Sequence, residues 1–339
     1  MRTKYAFPIL FSGRWQFRLQ GLLTFYRSLW AVTVRRMFNG PMLPGWSLSF
    51  EVSNDFLKRQ TQKGFQFTDH SQSREYEDAV LFTAGNSRSI TKTEVEVPVK
   101  GAWYSAPNET NSAVLLYLHG GGYAYYSKAH DNLIGLVVKA INTKTFALEY
   151  RLTPEYAYPA QLEDALAAYR WLVDSQPMGK NIIVAGDSAG GNLVLSLLIA
   201  IDQQKLPAPK LAICISPWTD VTNTGDSMRQ NERFDWVTKA MADKWAQWYC
   251  AGQNQSDPLI SPVKAKLTGL PPIYIQAGSA EILIDMIRDF DEEAKKQKAD
   301  VTLEVWENMT HDFQAYGDLV PESKEALIRL GEIVRKYCG

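Results

Sequence analysis

The chain is poor in the residues that staple small or secreted scaffolds. It carries three cysteines in 339 residues, Cys214, Cys250 and Cys338, an odd number at wide spacing, with Cys214 inside an apolar strand-like run. They read as reduced thiols in a reducing compartment and exclude a disulfide framework. Histidine is scarce too, at four (His70, His119, His130 and His311), and no metal-ligand spacing occurs, so neither a metal nor another cofactor is expected. The formal net charge of −1 gives no reason to expect a nucleic-acid partner. No apolar run can span a bilayer comfortably. The most apolar stretch, Leu19 to Val34, is interrupted by Arg27 and flanked by Arg14, Arg18, Arg35 and Arg36, and no compact basic-then-apolar signal pattern precedes it. A cytoplasmic chain is the expectation. Sequons at Asn108-Glu109-Thr110, Asn254-Gln255-Ser256 and Asn308-Met309-Thr310 would matter only outside the cytosol, and a glycan on the third would crowd His311.

Acidic residues are missing from Met1 to Gly40, which hold seven basic residues among Trp15, Phe17, Leu22, Leu23, Phe25, Tyr26, Leu29 and Trp30. One reading is a basic amphipathic helix lying on a membrane surface. The other, which we prefer, is a lid helix whose apolar face covers a site.

What the chain does hold is organised around Asn181 to Ala200. Ile182, Ile183 and Val184 form a β-branched run, and Leu193, Val194, Leu197, Leu198 and Ile201 recur at helical spacing, so the segment reads strand, sharp turn, helix. Ser188 stands at the turn with Gly186 and Gly190 two residues away on either side, where a Cβ would collide with strand or helix. The hydroxyl is then exposed above a sheet, close to helix N–H groups that favour developing negative charge. That is a nucleophile's position, with Asp187 as part of its structural support.

From Ala113 onward, apolar strand-like runs alternate with helical ones. The runs are Val114–Leu118, Thr145–Glu149, Ile182–Ala185, Leu211–Ile215, Ile273–Ala277 and Val301–Trp306, with helices expected over Asn132–Ile141, Pro159–Val173, Leu193–Gln203, Ile282–Gln297 and Glu322–Tyr337. Two antiparallel edge strands precede them, over Thr91–Val97 and Val99–Tyr104. The fold class is therefore α/β, a mostly parallel, doubly wound sheet of about eight strands. Residues 1–90 read as helical cap or lid, with breaks at Gly40-Pro41 and Pro44-Gly45, and 91–339 as the catalytic domain. Within the latter, roughly 219–262 lacks strand signal and gathers Phe234, Trp236, Trp245, Trp248 and Tyr249 just after Trp218, as a second piece of lid lining an apolar pocket would. His70 reads as a solvated histidine in a polar loop.

A serine hydroxyl needs a base. His311 alone of the four histidines follows Ser188, in the loop after the last expected strand, where the C-terminal ends of parallel strands gather active-site groups. The base needs an acid to hold its ring. Glu281, just past the strand Ile273–Ala277, is preferred to Asp285 one helical turn on, and Asp257 precedes that strand and is set aside. The oxyanion needs N–H donors. Strand Val114–Leu118 runs through His119 into Gly120-Gly121-Gly122, whose backbone can turn toward a substrate, and Ala189 adds an N–H at the elbow. His119 and Gly120 are read as structural, His119 pinning the loop through hydrogen bonds. The triple glycine lacks both the lysine of a phosphate loop and the spacing of a dinucleotide fingerprint.

His119-Gly120-Gly121-Gly122, Gly186-Asp187-Ser188-Ala189-Gly190-Gly191, Tyr150-Arg151-Leu152-Thr153-Pro154-Glu155, Pro159-Ala160 with Glu163-Asp164, Ser216-Pro217-Trp218 and Asp257-Pro258 together resemble the hormone-sensitive-lipase family of α/β-hydrolases. The resemblance runs from about Val95 to the C-terminus. It implies the α/β-hydrolase fold and a carboxylesterase acting on short or medium acyl esters. Ser188, an acid and His311 would form the triad, Gly121, Gly122 and Ala189 the oxyanion hole, and the N-terminal helices with an insertion after the sixth strand a two-part cap. The family's acid is usually Asp where Glu281 stands here. A small residue usually stands near Tyr126, so Tyr126, with Trp218, is a candidate for shaping the acyl pocket. The basic N-terminus resembles that of fungal members.

The expected reaction is ester hydrolysis through an acyl-enzyme, with a hydrophobic alcohol, a small acyl group such as acetyl, and a place in secondary metabolism. Two rivals stay open: acyl transfer or polyketide release and cyclisation by the same triad, and a non-catalytic small-molecule receptor. The only partner expected is a small-molecule ester.

Overall fold

The structure, a computed structural model, describes residues 9–82, 90–96, 98–107, 113–175 and 181–338. Val97 of the expected edge strand, the Asn108 sequon, and Arg2 and Lys4 of the basic N-terminus lie outside them. An eight-stranded sheet carries the site. In chain order its strands are β3 (Thr91–Val95), β4 (Gly101–Ser105), β5 (Val114–Leu118), β6 (Lys144–Leu148), β7 (Ile182–Asp187), β8 (Leu211–Ile215), β9 (Ile273–Gly278) and β10 (Val301–Trp306). The spatial order is β10-β9-β8-β7-β5-β6-β4-β3, parallel from β10 to β6, with β4 and β3 added antiparallel.

β5, β7, β8 and β9 are buried at every position, as strands covered on both faces must be. Their side chains divide by the two-residue period. Leu116, Leu118 and Val184 join the core under α5 (Ala160–Asp174), α6 (Ala189–Gln203) and α9 (Ile284–Gln297). Leu115, Tyr117, Ile183 and Ala185 face α4 (Lys128–Ile141) and α10 (Pro321–Cys338). Two registers place the site. Leu118 lies opposite Gly186, so the glycine loop leaves β5 beside the turn that follows β7. Gly278 lies opposite Trp306, so the segments after β9 and β10 emerge side by side.

Ahead of the sheet come α1 (Trp15–Asn39), α2 (Leu48–Gly64) and α3 (His70–Asp78), broken at Gly40 to Ser47 as the Gly-Pro pairs require. Ser47 caps α2 through Phe50 N–H and Asp69 caps α3 through Ser71 N–H. His70 thus begins a helix, in place of the expected polar loop, and its ring meets Trp248 edge-on at 5.0 Å. A second small sheet pairs β1 (Ile9–Phe11) with β2 (Val80–Phe82). Glu51, almost fully buried, ties α2 to Arg35 and Arg36 of α1. Between β8 and β9 the chain forms α7 (Ser227–Gln230), α8 (Lys239–Cys250), a short 3-10 helix at Pro262–Lys264 and turns, the strand-free stretch the sequence indicates.

The N-terminal helices reach the sheet's C-terminal edge through polar ties. Trp46 Nε1 donates to Asn308 O at 2.6 Å, and Asn54 donates to Phe234 O. Arg74 donates to Ala124 O and Thr153 O at 2.9 Å each and forks onto Glu155. The cysteines are free thiols, and no helix among the described residues is long and apolar enough to cross a membrane.

Candidate active site

Ser188 sits at φ 55°, ψ −120°, between the last residue of β7 and the first of α6. A β-carbon at Gly186 would come within 2.6 Å of the Gly190 carbonyl and of Leu118 O, and one at Gly190 would overlap Leu118 O outright. Glycine is therefore a steric requirement at both flanks. Asp187 faces away from solvent and fastens the turn to the neighbouring loop, accepting from Tyr117 Oη at 2.7 Å and from Gly120 N–H at 3.0 Å. Burial lifts its carboxyl to about 6 against those two donors.

Gly121 and Gly122 take φ of 94° and 60°. Among the described residues, no acceptor is paired with the N–H groups of Gly121, Gly122 or Ala189. His119 stands behind the loop: its Nδ1 lies 2.8 Å from Gly120 O, and its ring stacks on Tyr150 at 4.1 Å and on Tyr126 at 4.3 Å. Tyr150 Oη donates to His119 O at 2.6 Å, and burial holds the imidazole well below its usual range. The ring is a neutral wedge.

His311 Nε2 lies 2.8 Å from Ser188 Oγ. Burial lowers the imidazole to about 3, so it is neutral and able to accept a proton. Glu281 is fully buried, and its Oε2 accepts from Ser216 Oγ at 2.6 Å and from Gly278 N–H at 3.0 Å. Burial pushes this carboxyl up to about 8. One atom on each side chain is buried without a hydrogen bond: Nδ1 of His311 and Oε1 of Glu281. Asp285, the alternative acid, is turned elsewhere. Its Oδ2 accepts from Ser227 N–H at 2.8 Å, anchoring the segment between β8 and β9.

Three residues that the sequence reading gave no part in the triad surround it. Asp235 accepts from the N–H groups of Trp236 (2.8 Å), Ile282 (2.8 Å) and His311 (3.2 Å), and so clamps the Glu281 segment against the His311 loop. Burial raises it to about 7. Ser216, at φ 43°, joins the same two segments, donating to Glu281 and accepting from Asp312 N–H at 3.2 Å. Asp312 Oδ2 lies 3.3 Å from His311 Nε2, and burial, with Asp187, Glu281 and Asp235 nearby, holds its carboxyl well above the usual range. The one sequence signal for Asp235 is its place between Phe234 and Trp236, an acid inside an aromatic run.

The site opens on a cavity of about 1260 Å³, open space at its mouth included, with Ser188 in its wall. Phe56, Leu57, Tyr125, Trp236, Trp245 and Leu319 make its lining largely apolar. Tyr126 and Trp218, the residues read as acyl-pocket candidates, are not among the lining residues. Tyr126 points its hydroxyl at Asp131 (2.8 Å), and Trp218 is buried with Nε1 on Asn223 Oδ1 (2.8 Å). Tyr125 and Trp245 occupy that wall instead. No group of three His, Cys, Asp or Glu among the described residues could hold a metal ion.

The chain is similar to known proteins in sequence and in fold. A family model described as alpha/beta hydrolase fold matches residues 115–315. An acetyl-hydrolase of Streptomyces hygroscopicus is 38% identical over 235 residues, 69% of this chain and 79% of that protein. An ethyl acetate hydrolase of Pseudomonas putida is 30% identical over 234 residues, 66% and 73% of the two chains. Among solved structures, an esterase from the bacterial hormone-sensitive lipase family superposes with a TM-score of 0.73 at 32% identity, over 94% of this chain and 99% of that one. An esterase/lipase from an uncultured bacterium gives 0.72 at 33%, over 91% and 98%. These relatives are bacterial, and the likeness of the N-terminus to fungal members is not borne out. The chain belongs to the hormone-sensitive-lipase family of α/β-hydrolases and is a serine ester hydrolase of the carboxylesterase type.

Proposed function

We propose that the chain cleaves short- to medium-chain acyl esters of apolar alcohols, acetyl esters foremost, through an acyl-enzyme on Ser188. The observation that carries this reading is the 2.8 Å approach of His311 Nε2 to Ser188 Oγ in the wall of an apolar cavity, beside three N–H groups without acceptors. Ser188 Oγ attacks the ester carbonyl while His311 takes its proton. The oxyanion rests on Gly121, Gly122 and Ala189 N–H, each such donor contributing about 2.7–4 kcal/mol in comparable sites. His311 returns the proton to the departing alcohol, and the C–O bond breaks. Water then attacks the acyl-serine with His311 as base, releasing the acid and restoring Ser188. Glu281 serves as the third member: its free Oε1 and the free Nδ1 of His311 are the two atoms a triad would join, and triad hydrogen bonds often tighten only with substrate bound.

The N-terminal helices up to residue 90 and the insertion at about 219–262 form the cap, since α2 and Trp236 and Trp245 line the cavity above Ser188. The relatives named acetyl-hydrolase and ethyl acetate hydrolase favour a small acyl group. A p-nitrophenyl ester series from acetyl to palmitoyl tests the proposal. Turnover should peak at the short chains and fall by about 10³-fold or more in Ser188→Ala and His311→Ala. A maximum at palmitoyl would refute the acyl preference, and full turnover by Ser188→Ala would refute the nucleophile.

A further inference from the structure

The long first helix has two apolar faces, and the fold uses only one. Phe17, Gly21, Ser28 and Val32 are buried, on the side turned to α2 and α3. On the opposite side Trp15, Leu19, Leu23, Tyr26, Trp30 and Met37 follow one another at steps of three, four or seven residues and are 49–76% exposed. Nine of the thirteen large apolar side chains that are exposed among the described residues lie between Leu10 and Phe38. The stripe is about 33 Å long at 1.5 Å per residue. It bares on the order of 800 Å², above the roughly 300–600 Å² of the largest patch on a typical monomer. Such a face is covered by something.

Charge says by what. No acidic residue occurs from Ile9 to Phe50. Arg14 is paired with Glu75, and Arg35 and Arg36 with Glu51. Arg18 and Arg27 have no acidic partner among the described residues, and helical spacing sets them on the two flanks of the stripe. Lys63 of α2 lies along the same groove as Arg27, as does Arg59, which is paired with Asp55. A second copy laid on this stripe would bring the flanking arginines against one another. An anionic bilayer surface would meet them with phosphates and take Trp15, Tyr26 and Trp30 at headgroup depth, where amphipathic rings reside. Four arginines inside the helix keep it from crossing.

We propose that the outer face of α1 is a docking surface for anionic phospholipid membranes, with the helix lying flat in the interface. α1 packs on α2, whose Ser53, Phe56 and Leu57 line the cavity, so docking holds the cavity one helix away from the lipid. The surface is independent of whether Ser188 turns over esters.

Flotation of the full chain with vesicles tests it. The chain should float with vesicles of equimolar phosphatidylcholine and phosphatidylglycerol and be released at about 1 M salt, where the screening length is roughly 3 Å. It should float weakly with phosphatidylcholine alone. Leu23→Gln with Trp30→Gln should lower partitioning at least roughly tenfold while solution hydrolysis of p-nitrophenyl acetate stays at the parental level. Arg18→Gln with Arg27→Gln should abolish the preference for the anionic vesicles. Unchanged flotation of the Leu23/Trp30 variant would overturn the proposal. So would failure of the parent to float, and a dimer in light scattering that those two substitutions dissolve would then assign the face to a second copy.

Discussion

Glu281 and His311 are both buried, and burial disfavours the charged form of each: the carboxyl rises to about 8 and the imidazole falls to about 3. Alone, each would be neutral. As a triad they share one proton, and a carboxylate facing Nδ1 favours the imidazolium that forms when Ser188 gives up its proton. Removing that carboxylate lowers the affinity of His311 for a proton. Glu281→Gln should therefore cut kcat about 10²–10⁴-fold and move the acid limb of kcat/KM to lower pH than in the parent. Asp285→Asn, on a residue held by Ser227 N–H, should leave the limb where it is. A limb that moves upward, or moves only with Asp285→Asn, would count against Glu281.

At the scale of elements, the glycine loop depends on what is stacked over it. Arg74 of α3 holds Ala124 O, just beyond that loop, and the carbonyl of Thr153, whose N–H donates to Tyr123 O, and its pair with Glu155 is half-exposed. The two carbonyl bonds outweigh the ion pair, because exposed pairs contribute about 0–1 kcal/mol and charged hydrogen bonds about 1.5–3. Arg74→Ala should thus destabilise by about 1–3 kcal/mol in urea unfolding and raise KM more than it lowers kcat, while Glu155→Gln should do neither to that extent. An equal effect of both would place the importance in the ion pair.

Elements with strong local signals are legible in the sequence. The apolar runs at β5, β8 and β10 end where the strands end, and the elbow shows because a serine between two sterically required glycines leaves a pattern in composition. Other features leave none. α4 begins at Lys128, not Asn132, because Ser127 is reciprocally capped by His130 where glutamate is the familiar partner. α6 begins at Ala189, hidden by the glycines that the elbow needs. β1 and β2 have three residues each, too few to alternate, and pair across the whole of α1 to α3. Asp235 acts through N–H groups distant in the chain, which no spacing records. Tyr126 and Trp218 are near the loops that matter but point away, since side-chain direction follows from tertiary packing.

For the whole molecule, the site's titrating groups set a stability profile. His119, His130 and His311 are depressed by burial, so the unfolded chain binds more protons below its histidine pKa of about 6.5, and stability falls as pH drops through that range. Glu77, Asp235 and Glu281 are raised to about 8, 7 and 8, so the folded chain holds the extra protons and stability falls as pH climbs from about 4.3 toward 8. Between roughly 4.3 and 6.5 the two sets oppose each other. Thermal unfolding should show a plateau at mildly acidic pH and a decline on both sides, with the alkaline decline shallower in Asp235→Asn. A maximum above pH 8 would contradict this assignment.

A covalent acyl bond to Ser188 is the step on which the proposed hydrolysis turns. Rapid quenching after mixing with p-nitrophenyl acetate, followed by peptide mass analysis, reads that bond directly. One acetyl group on the peptide containing Ser188, absent in Ser188→Ala and persisting longer in His311→Ala once that variant has been acylated with excess ester, is the result expected. Turnover with no acetylated serine, or with the acetyl group on another residue, would contradict it.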